Sequence, residues 1–147
     1  MIRSVLIAAF LFFGMAGLVH AETHEVKMLN RGPNGPMDYE PAYLVIEPGD
    51  TVKFLATVKG HNAATIEGFL PQGAEPFLGK INQEIEVTFD KEGIYGIKCS
   101  PHFDMGMVML IQVGDGSVDD VNLPEKLPNS ARKRFGKIID AAKQAGL

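Results

Sequence analysis

The chain has 147 residues, a formal net charge of −4, 22% charged residues, one cysteine and no tryptophan. That length suits one domain around one hydrophobic core, and the acidic balance excludes nucleic-acid binding by bulk charge. A lone cysteine also excludes a framework of internal disulfides.

Residues 1–21 read as a segment apart. Arg3 supplies a positive charge, Val5 to Phe13 is an unbroken apolar run, and Val19-His20-Ala21 offers small residues at the cleavage positions. This predicts a secretory signal cut between Ala21 and Glu22. Gly14 and Gly17 break the run short of the ~20 apolar residues a spanning helix needs. Loss of Arg3 takes the mature chain to −5, and the expected location is the periplasm. An exported protein normally pairs its cysteines. Cys99 has no partner in the chain, so it dimerises, stays free, or is capped by a metal.

The mature chain opens on a strand pattern. His24-Glu25-Val26-Lys27-Met28 alternates, and Asn30 to Pro36 is a loop of turn-forming residues. Tyr43 to Ile46 is apolar and β-branched, and Glu47-Pro48-Gly49-Asp50 turns the chain. Thr51 to Thr57 resumes as a strand with Val52, Phe54 and Ala56 on one face. Glu84 to Asp90 alternates throughout, Lys91-Glu92-Gly93 turns, and Ile94 to Cys99 puts Tyr95, Ile97 and Cys99 on one face. Val108 to Val113 is the last strand. Many short strands between Gly/Pro turns predict an all-β sandwich or barrel.

The tail changes period. Asn129 or Ser130 can cap a helix on which Ala131, Phe135, Ile138, Ala142 and Ala145 form one apolar stripe facing the sandwich. Arg132, Lys133, Arg134, Lys137 and Lys143 lie on the other face, read as solvated. Asp119 to Lys126 has the makings of a short preceding helix, broken at Pro124.

The chemistry gathers between the last two strands. Cys99-Ser100-Pro101-His102-Phe103-Asp104-Met105-Gly106-Met107 places a thiolate, an imidazole and two thioethers in one short loop. His61, at a strand end after Lys59-Gly60, is the best candidate for a second imidazole. Soft sulfur favours Cu(I) and imidazole suits Cu(II), so a His₂Cys set with a weak axial Met permits one-electron cycling. A structural zinc site needs a fourth strong donor, and none is placed nearby. Spacing alone leaves both Met105 and Met107 open for the axial place.

The segment Gly93 to Met107 resembles the copper loop of the cupredoxins, and its Cys-x₂-His-x₄-Met spacing resembles plastocyanin and pseudoazurin. The helical tail, together with Met28 to Gly32, Glu40 to Tyr43, Glu47 to Val52 and Gly60-His61-Asn62, is similar to the pseudoazurins. The resemblance implies a Greek-key β-sandwich of about eight strands over 22–116, with a helical extension over 117–147. It implies one type 1 copper ion on His61, Cys99, His102 and Met107, leaving Met105 as an apolar neighbour. It implies that Asn62 steadies the ligand loop and that Pro101, having no N–H, spares the thiolate a donor. Asp104 departs from the neutral residue expected there.

The same resemblance makes His102 the electron port, flanked by Pro101, Phe103, Met105 and Met37, with Arg31, Lys59, Lys80 and Lys98 as a basic ring for transient docking. It implies an electron carrier rather than an enzyme, a monomer with no membrane span after signal removal. Copper nitrite reductases, or related denitrification enzymes, and a cytochrome-type donor are the implied partners. A copper chaperone or storage protein is the alternative, though such proteins favour paired cysteines or Met-rich tracts. A free N-terminus at Glu22-Thr23-His24 is a second copper-binding pattern. It competes with His24 pairing in the first strand, which uses the same amides.

Overall fold

The computed structural model describes residues 20–147. The predicted signal therefore lies outside the described residues, save for His20 and Ala21. Eight strands follow in order: β1 (Thr23–Gly32), β2 (Gly35–Glu40), β3 (Tyr43–Ile46), β4 (Asp50–Leu55), β5 (Ala64–Thr65), β6 (Ile85–Phe89), β7 (Gly93–Lys98) and β8 (Val108–Val113). One α-helix, α1 (Asn129–Gln144), comes last. The strands make two four-stranded sheets, β2-β1-β4-β6 and β3-β8-β7-β5. β1 with β4 and β3 with β8 are parallel pairs; the others are antiparallel. This is the all-β sandwich with a helical extension that the sequence predicts.

Alternation explains the inner faces. Val26 and Met28 of β1, Val52 and Phe54 of β4, Phe89 of β6, and Tyr95 and Ile97 of β7 meet between the sheets. β8 is different, with all six residues buried. Its apolar run at 108–111 is what a strand covered on both faces requires, and buried Gln112 is satisfied by Tyr43 and the Gly114 carbonyl. The second cover is α1, whose Ala131, Phe135 and Ile138 pack with Val108, Leu110, Ile66 and Phe69. The rings of Phe69 and Phe135 meet edge-on with centroids 5.2 Å apart, and burying a ring such as Phe135 is worth about 2–3 kcal/mol. Gly96 makes this layer possible, because a Cβ there would sit 2.1 Å from Cδ1 of Phe69.

The structure departs from the sequence reading in several places. Much of the expected loop at Asn30 to Pro36 is instead strand, with β1 running to Gly32 and β2 starting at Gly35. β2 is an edge strand, so a proline and a glycine cost its ladder little. The expected helix at 119–126 is only a 3₁₀ turn, Val118–Asp120, whose Asp119 N–H donates to Ser117 Oγ. Neither Asn129 nor Ser130 caps α1; the flanking residue is Pro128, with no side-chain cap. Ala131, Phe135, Ile138 and Ala142 are buried as expected, but Ala145 lies past the helix end and is exposed.

The basic face of α1 is not simply solvated. Arg134 donates from Nη1 to Asp38 Oδ1 at 3.1 Å and from Nη2 to the Pro36 carbonyl at 2.8 Å. Asp38 is fully buried and also accepts from the Asn34 N–H at 2.9 Å. Arg132 donates to the Pro124 and Glu125 carbonyls, and Lys143 pairs with Asp119 at 2.9 Å. A buried carboxylate demands a partner, and that demand pulls Arg134 off the solvent face.

At the N-terminal end, His24 pairs in register with Val52 and its Nε2 lies 2.8 Å from Asp50 Oδ2. Burial opposes the charge of Asp50, but the Glu22 N–H, the His24 ring and the Glu47 N–H together hold its pKa below the ordinary carboxylate range. The backbone of Glu22 to His24 is thereby committed to β4, through the Thr51 N–H to Glu22 carbonyl bond and the strand register.

Candidate metal centre

Cys99 follows β7 directly and points inward in phase with Tyr95 and Ile97. Its N–H donates to the Met107 carbonyl at 3.0 Å, which ties the two ends of the ligand loop together. Between them Ser100–Met105 forms 3₁₀ turns that bend at His102, with proline at the start. The His102 N–H donates to the Cys99 carbonyl at 3.1 Å and the Met107 N–H to the His102 carbonyl at 3.1 Å. Gly106 has a φ of 87°, a conformation open chiefly to glycine, and it reverses the chain here. The reversal separates the two methionines: Met105 is 55% exposed and Met107 is 0% exposed. His61 arrives from the other sheet's β4, after Gly60 at a φ of 99°.

Three donor atoms converge. His61 Nδ1 and His102 Nδ1 are 3.1 Å apart, and Cys99 Sγ lies 3.6 Å from the first and 3.4 Å from the second. His61 and Cys99 are buried and His102 is half-buried. Met107 belongs to the same buried cluster as Cys99. Burial, and then the neighbouring His102, push the His61 pKa down, so this imidazole is held neutral with a lone pair to offer. Burial pushes the Cys99 thiol up, partly countered by the N–H groups of Asn62 and His102. Such a thiol would release its proton most readily when a metal cation takes the sulfur lone pair.

Surrounding side chains fix these donors. His61 Nε2 lies 2.8 Å from Asn30 Oδ1. An amide oxygen can only accept, so Nε2 carries the proton and the Nδ1 lone pair faces inward. Asn62 bridges two segments: its Oδ1 accepts from the Ser100 N–H at 2.7 Å, and its Nδ2 donates to the Gly79 carbonyl at 2.9 Å. Tyr39, buried with its pKa raised well above the usual value by burial and then by Cys99, donates to the Asn62 carbonyl at 2.7 Å. Asn82 accepts from the Gly60 N–H at 2.6 Å and donates its own N–H to the His61 carbonyl at 3.0 Å. Sequence reasoning found Asn62 but gave no role to Asn30, Tyr39 or Asn82. Each acts from a distant segment, and no local pattern marks it.

The flanking residues are distributed as follows. Pro101 is exposed, and Met37 is half-buried against the cluster that holds Cys99 and Met107. Phe103 is half-buried on the α1 side of the sheet, with Lys98 Nζ 5.0 Å from its ring centroid. Arg31, Lys59 and Lys80 are exposed. Each of the four basic residues directly neighbours in sequence a group at the centre. Arg31 follows Asn30, Lys80 follows Gly79, Lys98 precedes Cys99, and Lys59 precedes Gly60, where an added Cβ would lie 3.9 Å from His102 Cε1. Among the described residues, no helix is long and apolar enough to cross a membrane.

Residues 26–114 match the family model for copper binding proteins of the plastocyanin/azurin family. The chain is 46% identical to the pseudoazurin of Paracoccus pantotrophus over 134 residues, covering 90% of this chain and 92% of that one. It is 50% identical to the pseudoazurin of Methylorubrum extorquens over 115 residues, covering 77% and 78% respectively. The crystal structure of native pseudoazurin from Hyphomicrobium denitrificans superposes with a TM-score of 0.73 at 38% identity, covering 81% of this chain and 97% of that one. Fold, loop and relatives agree that the chain belongs to the pseudoazurins of the plastocyanin/azurin family of copper-binding proteins.

Proposed function

We propose that His61 Nδ1, Cys99 Sγ, His102 Nδ1 and the Met107 thioether hold the single copper ion of this electron carrier, and that electrons pass through the exposed edge of His102. The convergence of two imidazoles and one thiolate carries the reading. Ligands each about 2.0–2.3 Å from a shared ion, set near 120° apart, stand roughly 3.5–3.7 Å from one another. The three donor separations of 3.1 to 3.6 Å lie close to that range. Burial favours Met107 over the exposed Met105 for the weak axial place. Copper supplies a one-electron couple there. The chain holds its donors in place by the Asn30, Asn62 and Tyr39 contacts, so that little rearrangement accompanies a change of charge. It also keeps water from all but the His102 side.

The alternative of a copper chaperone is less well supported. A cargo site must release its ion, whereas here the thiolate, one imidazole and one thioether are buried.

The location is the periplasm, after loss of residues 1–21, and the working form is a monomer whose contacts are transient. The acceptor is a copper nitrite reductase or a related denitrification enzyme, and the donor a cytochrome-type protein. Residues 22–116 make the sandwich and 117–147 the tail that packs on it. The four basic residues neighbouring the centre support docking through Arg31, Lys59, Lys80 and Lys98 around an apolar port that includes Pro101, Phe103 and Met105. Such a rim steers encounter with an acidic partner and weakens with salt. Stopped-flow mixing of the reduced protein with a copper nitrite reductase at low ionic strength tests this. Lys59→Glu with Lys98→Glu lowers the second-order rate at least tenfold, an effect on the scale of electrostatic steering, and added salt narrows the gap. An unchanged rate contradicts the docking surface.

A further inference from the structure

We infer that Ser130, in the first turn of α1, is a positioning residue for the copper loop, latching its far end as Asn62 latches its near end. The inference rests on the ligand assignment above.

The 3₁₀ turns of Ser100–Met105 contain no buried residue. Partly buried Phe103 packs on the α1 layer, and hydrogen bonds hold the two ends of the stretch. Asn62 anchors Ser100 at the start. At the other end, the Ser130 hydroxyl donates to the Asp104 carbonyl. Backbone contact reinforces the bond: a Cβ at Gly106 would lie 2.9 Å from the Ser130 carbonyl oxygen and 3.1 Å from its carbonyl carbon. The helix and the turn at Gly106 are in direct apposition, one residue before Met107.

Three further features favour a latch over an incidental contact. Ser130 is the second residue of α1, beyond the Pro128 cap position, so its hydroxyl has no capping duty and goes to the loop. One helical turn on, Arg134 locks the same face of α1 to Asp38 and Pro36, so Ser130 is presented from a fixed base. Asp104 enters the latch through its backbone carbonyl, while its side chain is exposed.

The ligand that depends most on this end of the loop is Met107. A thioether would hold copper only weakly, so the loop rather than the bond would set where Met107 sits. Releasing Asp104 should show in the axial interaction before it shows in the fold.

Amide hydrogen exchange in the copper-free protein, and the visible spectrum and reduction potential of the copper-loaded protein, test the latch. Ser130→Ala is expected to speed exchange at Gly106 and Met107 about fivefold to tenfold, the loss of one hydrogen bond, and to shift the spectrum and potential. Ser130→Thr is expected to restore both. Ile138→Val, on the far half of the same helix, controls for stability and should lower the melting temperature while leaving loop exchange and spectrum unmoved. Wild-type behaviour in Ser130→Ala overturns the inference, and so does an equal change in Ile138→Val. The exchange measurement needs no copper, so failure of the ligand assignment would appear separately, as a wild-type protein without thiolate-to-copper colour.

Discussion

Cys99→Ala is expected to abolish the visible thiolate-to-copper absorption altogether, while His61→Ala and Met107→Leu alter it. The three losses differ because the donors differ. Sγ of Cys99 is the only thiolate available, and soft sulfur gives the site its charge-transfer colour and its hold on Cu(I). Removing it leaves two imidazoles 3.1 Å apart that can still bind Cu(II), but as a nearly colourless complex with no fast return from Cu(I). His61→Ala opens one buried position to water or buffer, so copper binds with a changed spectrum and weaker affinity. Met107→Leu keeps the three strong donors and the buried volume, and changes mainly the reduction potential. Met105→Leu should leave spectrum and potential alone, since that side chain projects into solvent. Absorption and paramagnetic resonance on copper-titrated variants read all four. Colour surviving in Cys99→Ala, or a potential that moves with Met105 and not with Met107, would sink the assignment.

Arg134→Leu is expected to destabilise the fold strongly although it removes no core side chain. Asp38 is fully buried and its carboxylate would remain, held only by the Asn34 backbone N–H and side-chain amide. Breaking a buried pair from one side costs about 3–5 kcal/mol, and the surviving Asn34 bonds put the expectation near the lower end. For a domain of this size that lowers the melting temperature by on the order of 10 °C. The double variant Arg134→Leu with Asp38→Asn should recover much of the loss, because no charge is then left buried. Thermal melts of the copper-free proteins are the right comparison, since bound metal would add its own stabilisation. A single variant within about 0.5 kcal/mol of wild type would mean that the pair behaves as an ordinary surface contact.

The sandwich was legible where one face of a strand is dry and the other wet. Thr51 to Thr57, Glu84 to Asp90 and Ile94 to Cys99 alternate, and each has a strand at its centre. β2 was not legible, because its Gly35, Pro36 and Asp38 are turn formers that only an edge position and Arg134 make acceptable. Nor was the pairing of Arg134 with Asp38, which lie 96 residues apart. At the site, the Cys99-to-Met107 spacing announced copper chemistry but could not rank the two methionines. Gly106 ranks them, by turning the chain so that one is buried and the other is not. Asn30, Tyr39 and Ser130 carry no local signal at all, since each reaches the centre only after strands and helix have packed.

The most direct test of the account is a redox titration of the mature, copper-loaded wild-type protein. The account predicts one copper per chain, strong visible absorption in the oxidised form, complete bleaching by one reducing equivalent, and full return of colour on reoxidation without loss of metal. A colourless oxidised copper complex, or copper released on reduction, would contradict it.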